Sequence, residues 1–218
     1  TANVTAKVGE KNEWRFFLNG FTEYSDTPGG LSQAQWEQDP EQSVNPHDFF
    51  EARRFSTAIS YKRSFDETNS LTTSIYGSYL KRDWWLDNRN ADPTKRKFTS
   101  ALRDIPTVGL FSDYERTNTL FGKENKLLAG IRLHTDITHE VSVAGDEMGK
   151  KAGKTTANSA NTVAVVEGYV FDEFHITDKL NINPGLRYTF VNYDKEDYFR
   201  NNWDNRNEDA FIYSLGLF

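Results

Sequence analysis

Five arginines carry most of the recognition chemistry open to this chain. Arg53, Arg54, Arg82, Arg132 and Arg187 present planar guanidinium groups, which grip carboxylates through paired, charge-assisted hydrogen bonds. Arg53 and Arg54 follow a long polar stretch, residues 25–48, and Arg82 immediately precedes another, residues 83–106. Arg132 and Arg187 lie inside regular segments. Among the four histidines, His47, His134, His139 and His175, the pair His134 and His139 stands beside Asp136 and Glu140. That composition suits a metal ion, but residues spaced along a strand and a loop fix no coordination geometry, and no metal site is expected. There is no recognisable nucleophile–base pair, phosphate-binding loop or glycosidase-like carboxylate pair, so the chain does not read as an enzyme. Without cysteine it has no thiol chemistry and no cysteine-ligated metal.

The segments that hold these arginines alternate strictly between apolar and polar residues. Leu180, Ile182, Pro184, Leu186, Tyr188 and Phe190 interleave with Asn181, Asn183, Gly185, Arg187 and Thr189. The same pattern sets Leu127, Ala129, Ile131, Leu133 and Ile137 against Leu128, Gly130, Arg132, His134 and Asp136. It recurs with Leu71, Thr73, Ile75 and Tyr79 against Ser74, Tyr76, Ser78 and Arg82, and with Phe55, Thr57, Ile59 and Tyr61 against Arg54, Ser56, Ala58 and Ser60. A period of two is that of a strand with one apolar and one polar face. Strands in water average about five or six residues, whereas a tilted membrane-crossing strand needs about 9 to 11. Arginine on the lipid face of a barrel costs about 2–4 kcal/mol at the midplane, so Arg54, Arg82, Arg132 and Arg187 mark the inner face. The fold expected is all-β, an antiparallel up-and-down transmembrane β-barrel. A soluble β-sandwich with one wet face is the rival, with shorter strands and closer turns.

Composition agrees. Only 37% of the 218 residues are hydrophobic and no run reaches 18 apolar residues, which excludes helical spans. Aromatics make up 14%, including ten Tyr and five Trp, as interfacial girdles require. Trp14 with Phe16, and Trp84 with Trp85, read as such belt residues. The net charge of −6 argues against nucleic acid as a partner. Short polar turns near 9–12, 64–69, 118–125 and 175–178 alternate with long polar stretches at 25–48, 83–106, 138–161 and 194–208, the rhythm of short periplasmic turns and long extracellular loops. Nine strands are expected: 1–8, 13–24, 49–63, 70–82, 107–117, 126–137, 162–174, 179–193 and 209–218. Pro184–Gly185, inside one of them, predicts a bulge. Bacterial barrels close with an even number of strands. The stripe before Phe218 is broken by Gly216 and Ser214, so residues 1–218 are expected to be a contiguous portion of a single larger barrel.

Three stretches resemble TonB-dependent outer-membrane receptors. They are the hairpin Tyr-Val-Phe-Asp-Glu-Phe-His-Ile-Thr-Asp-Lys-Leu-Asn-Ile-Asn-Pro-Gly-Leu-Arg-Tyr (169–188), the strand Leu-Leu-Ala-Gly-Ile-Arg-Leu-His (127–134), and residues 22–54. The last, with Thr-Pro-Gly-Gly-Leu-Ser-Gln-Ala-Gln-Trp-Glu-Gln-Asp-Pro and Asn-Pro-His-Asp-Phe-Phe-Glu-Ala-Arg-Arg, is similar to the ferric-citrate-receptor branch. The resemblance implies a barrel of about 22 strands closed by an N-terminal plug domain, for which no segment is recognisable in this sequence. It implies uptake of a ferric chelate, citrate- or siderophore-like, driven by a TonB–ExbB–ExbD complex acting through the plug, with iron carried as the chelate and no resident cofactor. On this footing Arg54, Arg82 and Arg53 are the expected ligand-binding residues at the outer rim, and Arg132 and Arg187 the plug-contacting ones. The lysine-rich run at 149–154 could meet lipopolysaccharide phosphates outside a lipid-embedded wall. A passive porin-like channel and a surface adhesion or phage-binding barrel are the alternatives. Either would lack the energised plug.

Overall fold

The computed structural model describes residues 1–27, 29–88, 97–145, 153–177 and 180–217. Nine strands form one antiparallel sheet in sequential order: β1 (Ala2–Val8), β2 (Asn12–Asp26), β3 (Phe49–Ser64), β4 (Asn69–Asn88), β5 (Lys97–Leu120), β6 (Lys123–Val143), β7 (Thr155–Thr177), β8 (Leu180–Asp197) and β9 (Asn202–Leu217). A short helix, α1 (Gln33–Gln38), interrupts the connection between β2 and β3. All nine expected strands are present.

Register, not strand count alone, makes the wall two-faced. Directly paired residues share a face, and the pairs Phe16–Ile59–Ile75–Leu110–Leu133–Val166–Phe190 run as one apolar belt across seven strands. The adjoining row on the opposite face reads Arg15–Ser60–Ser74–Phe111–Arg132–Glu167–Thr189. Ile75 is 58% exposed and Val166 52%. A continuous bare apolar belt of this extent marks a surface meant for lipid. It sets the structure apart from a soluble sandwich, whose apolar faces would pack against each other.

On the polar face, three aromatic rings lie across glycines of the next strand. Tyr76 is paired with Gly109, Tyr169 with Gly130, and Phe171 with Gly185. A Cβ at Gly109 would collide with the Tyr76 ring, at Gly130 with Asp113 and Tyr169, and at Gly185 with Phe171 and Ser214. The rings shield backbone that glycine leaves bare. Between β5 and β6 the two-residue turn Phe121–Gly122 has positive φ at both positions, 54° and 78°, as a hairpin matching strand twist demands.

The structure corrects several expectations. The stretches 83–106, 138–161 and 194–208 are in large part strand, and β8 turns into β9 through only residues 198–201. No register shift occurs at Pro184. The β7–β8 ladder skips it and resumes unshifted at Phe174–Ile182, and the irregularity lies between His175 and Thr177. Trp85 is not a belt residue; it is buried with Phe49 and Phe98 against Leu102 and Val143, while Trp84 lies on the polar face with Arg82. Trp14 and Phe16 do stand bare on the apolar face near the first short turn. Phe218 and most of the run 149–154 lie outside the described residues.

Candidate ligand vestibule on the polar face

The arginines sort by strand parity and by height. Arg54, on β3, is paired with Phe21 and Leu80; Arg82, on β4, is paired with Ala52 and Arg103. Arg54 and Arg82 are therefore diagonal neighbours on the polar face, in a relation where Cβ atoms lie about 7–8 Å apart. Arg53 occupies the opposite face. There it meets Glu51 at 2.6 Å, with 70% of its side chain exposed. Adjacent strand residues point apart, so Arg54 and Arg82 share the polar face and Arg53 does not.

Arg82 has an unusual setting. Arg103 faces it directly across β4 and β5, and Arg103 is already bound to Glu140 at 2.5 Å. The Nε of Arg82 is buried without a hydrogen-bond partner, and its guanidinium sits 6.0 Å above the Trp84 ring. Trp84 in turn meets Phe50 edge-on at 6.3 Å. Positive charge with an unmet donor, backed by aromatic rings, is an arrangement that an incoming carboxylate would complete. The Phe50–Trp84 pair was missed in the sequence, although both positions share the parity of Arg54 and Arg82.

A folded loop joins β2 to β3 at this end of the sheet. Ser32 caps α1 and forms a reciprocal capping box with Gln35, which holds a helix of only six residues in place. Asp48, 3% exposed, fastens the end of the loop to the sheet. Its carboxylate accepts the backbone N–H of Asp87 at 2.5 Å and the side-chain amide of Asn45 at 2.6 Å, while its carbonyl accepts Thr27 N–H at 3.0 Å. The exposed Trp36 crowns the helix.

Lower down, the polar face carries interlocked pairs. The Tyr76 hydroxyl lies 2.8 Å from His134 Nδ1, His134 Nε2 lies 2.8 Å from Asp136, and Asp136 accepts the Thr107 hydroxyl at 2.5 Å. Arg187 lies 3.7 Å from Glu167 and over the Tyr169 and Phe171 rings, and Glu167 also accepts the Thr189 hydroxyl. Arg132 is exposed on the same face. His134 and His139 lie on opposite faces. Among the described residues no group of His, Asp and Glu could hold a metal ion.

Several solved receptors for iron chelates share this architecture. The ferric citrate transporter FecA in its unliganded form superposes with a TM-score of 0.91 at 18% identity, over 99% of this chain and 32% of that one. The siderophore receptor PiuA from Acinetobacter baumannii gives 0.79 at 12% identity, over 99% and 38%. The open form of the ferric-catecholate import receptor Fiu from E. coli K12 gives 0.69 at 11% identity, over 99% and 42%. The chain thus spans about a third to two-fifths of their lengths. Residues 5–218 match the family described as TonB dependent receptor-like, beta-barrel. The chain belongs to that family of bacterial outer-membrane receptors, as nine antiparallel strands of its barrel wall.

Proposed function

We propose that this chain forms part of the wall of an outer-membrane receptor that takes up a carboxylate-rich ferric chelate with energy from TonB. The observation that carries the reading is the rim constellation, in which Arg54 and Arg82 share the polar face beside Arg103 and the Arg82 Nε is buried and unpartnered. Citrate-like chelates present several carboxylates to such a surface, and each charge-assisted bond contributes about 1.5–3 kcal/mol. Likeness of the 22–54 stretch to the ferric-citrate-receptor branch points the same way. Iron enters as cargo within the chelate, and the wall needs no resident cofactor. Arg132, lower on the same face and paired in register with Glu167, suits contact with a plug domain. Arg187 is engaged by Glu167 within the wall, so its part in a plug contact is shared with that pair. TonB, ExbB and ExbD would act through the plug, and lipopolysaccharide would surround the outer rim.

Titration of the full-length receptor with ferric citrate tests the proposal. Arg54→Ala and Arg82→Ala are each expected to weaken binding by about tenfold, with barrel assembly intact. Unchanged affinity in both variants overturns the assignment. Uptake that persists without TonB would favour the passive channel.

A further inference from the structure

The apolar face is not uniform. Between Leu18 and Val108, one cross-strand row is filled only by Thr57 and Gly77, which leaves a depression in the lipid-facing surface. Ile59 and Ile75 form its side wall, and it opens towards the Trp14 and Tyr61 rings, whose centroids lie 4.6 Å apart. Its volume is about 530 Å³, within the span of roughly 300–1,000 Å³ found for small-molecule clefts. The few polar atoms on its floor are spent: the Thr57 hydroxyl donates to the Phe17 carbonyl at 3.2 Å, and Thr73 and Ser112 share a hydrogen bond of 2.8 Å. What remains is methyl and ring surface.

The foot of this groove is cationic. One row below Tyr61, the exposed Arg63 stands on the same face, and Arg116 stands on it beyond Leu71, paired with Asn69 and Leu127. Neither arginine is within ion-pair range of a carboxylate among the described residues. Of the two acids in the adjoining turn, Asp66 is occupied by Thr68 and Asn69, and Glu67 is in ion-pair range of neither arginine. Tyr61 and Tyr114 both direct their hydroxyls towards this end, to Asn12 at 2.6 Å and to Asn69 at 2.7 Å. Aromatic side chains with apolar bodies and polar tips mark the water–lipid boundary. Because the short turns lie on the periplasmic side, this boundary is that of the inner leaflet.

We propose that the groove and the arginines beneath it form a binding site for one anionic glycerophospholipid of the periplasmic leaflet, its phosphate at Arg63 and Arg116 and an acyl chain along Thr57–Gly77. Charge selects the occupant. A phosphoglycerol headgroup carries net negative charge to two arginines that lack carboxylate partners, whereas a zwitterionic ethanolamine headgroup brings its own ammonium. Apolar walls retain the chain. The proposal rests on the outer-membrane reading above.

The test uses the full-length receptor in mixed micelles with phosphatidylglycerol or phosphatidylethanolamine, read by native mass spectrometry. Retention of phosphatidylglycerol over phosphatidylethanolamine by the wild type is expected. The double variant Arg63→Ala/Arg116→Ala should lose that preference, and Gly77→Leu, which fills the groove without touching charge, should reduce retention of the lipid at least severalfold. Equal retention of both lipids by the wild type, or unchanged phosphatidylglycerol retention in either variant, overturns the proposal. Heat-modifiable mobility of each variant after refolding into neutral vesicles reports barrel formation separately. Its loss in the wild type would instead overturn the membrane reading itself.

Discussion

At the residue scale, a strand decides which side of the wall a group takes, and register decides what it meets there. The alternation around Arg54, Arg82, Arg132 and Arg187 fixed their common face, because a strand has only two sides. The partners across the sheet depend on register, which no single strand encodes; hence the Arg82–Arg103 juxtaposition and the Tyr76–His134–Asp136 chain emerge only once β4, β5 and β6 are aligned. Glycine carries a further lesson at this scale. Gly130 lies under the Tyr169 ring, whose hydroxyl donates to Asp113, whereas the space around Gly168 on the other face is open. Gly130→Leu should therefore overpack the wall and destabilise the receptor by about 1–3 kcal/mol. Gly168→Leu should be nearly neutral. Denaturant titrations of the two variants refolded into lipid vesicles check this, and equal effects would mean that the ring–glycine contacts contribute little.

At the element scale, membrane-embedded parts of the strands were readable and their outer extensions were not. Inside the lipid belt one face must be apolar, so the period of two survives in β3, β6 and β8. Beyond it both faces meet water, and the stripe disappears although the backbone ladder continues, as in the hairpin of β8 and β9 from Asp194 to Glu208. The ladder is built from N–H and C=O groups that every residue except proline supplies. The turn joining β3 to β4 shows how a short connection is secured. Asp66 accepts the Thr68 and Asn69 backbone N–H groups at 2.8 Å each and also both side chains, which lowers its pKa from 3.8 to about 2. Because the folded value is depressed, the stabilisation it gives is present above the unfolded value and is lost as pH falls through the window from about 4 to 2. Unfolding of the wild type should accelerate over that window relative to Asp66→Asn, whose turn does not titrate. Parallel pH profiles for the two proteins would contradict the role assigned to Asp66.

At the scale of the whole molecule, the wall works because its two faces answer to different solvents. Lipid can meet the belt from Phe16 to Phe190 without any hydrogen bonding, since the strands satisfy one another's backbone groups. The opposite face can then hold charge at heights that would be prohibitive in lipid, with Arg132 and Arg187 level with the belt and Arg54 and Arg82 towards the outer rim. Receptor chemistry is thus a consequence of alternation carried through nine registered strands, and a substitution is tolerated or not according to the face it lands on. Leu186 and Thr189 test this within one strand. Leu186 is 44% exposed on the apolar face beside Val170 and Tyr213; Thr189 faces the other way and donates to Glu167 at 3.2 Å. Leu186→Arg should cost folding into lipid about 2–4 kcal/mol if it sits near the midplane. Thr189→Arg puts its cation beside Glu167 and Arg187 in the wet interior, where the acid offsets much of the added charge, so its defect should be far smaller. Refolding titrations of the full-length receptor in phospholipid vesicles measure both. Equal defects would show that the two faces of β8 do not meet different solvents, and the vestibule would have to be sought elsewhere.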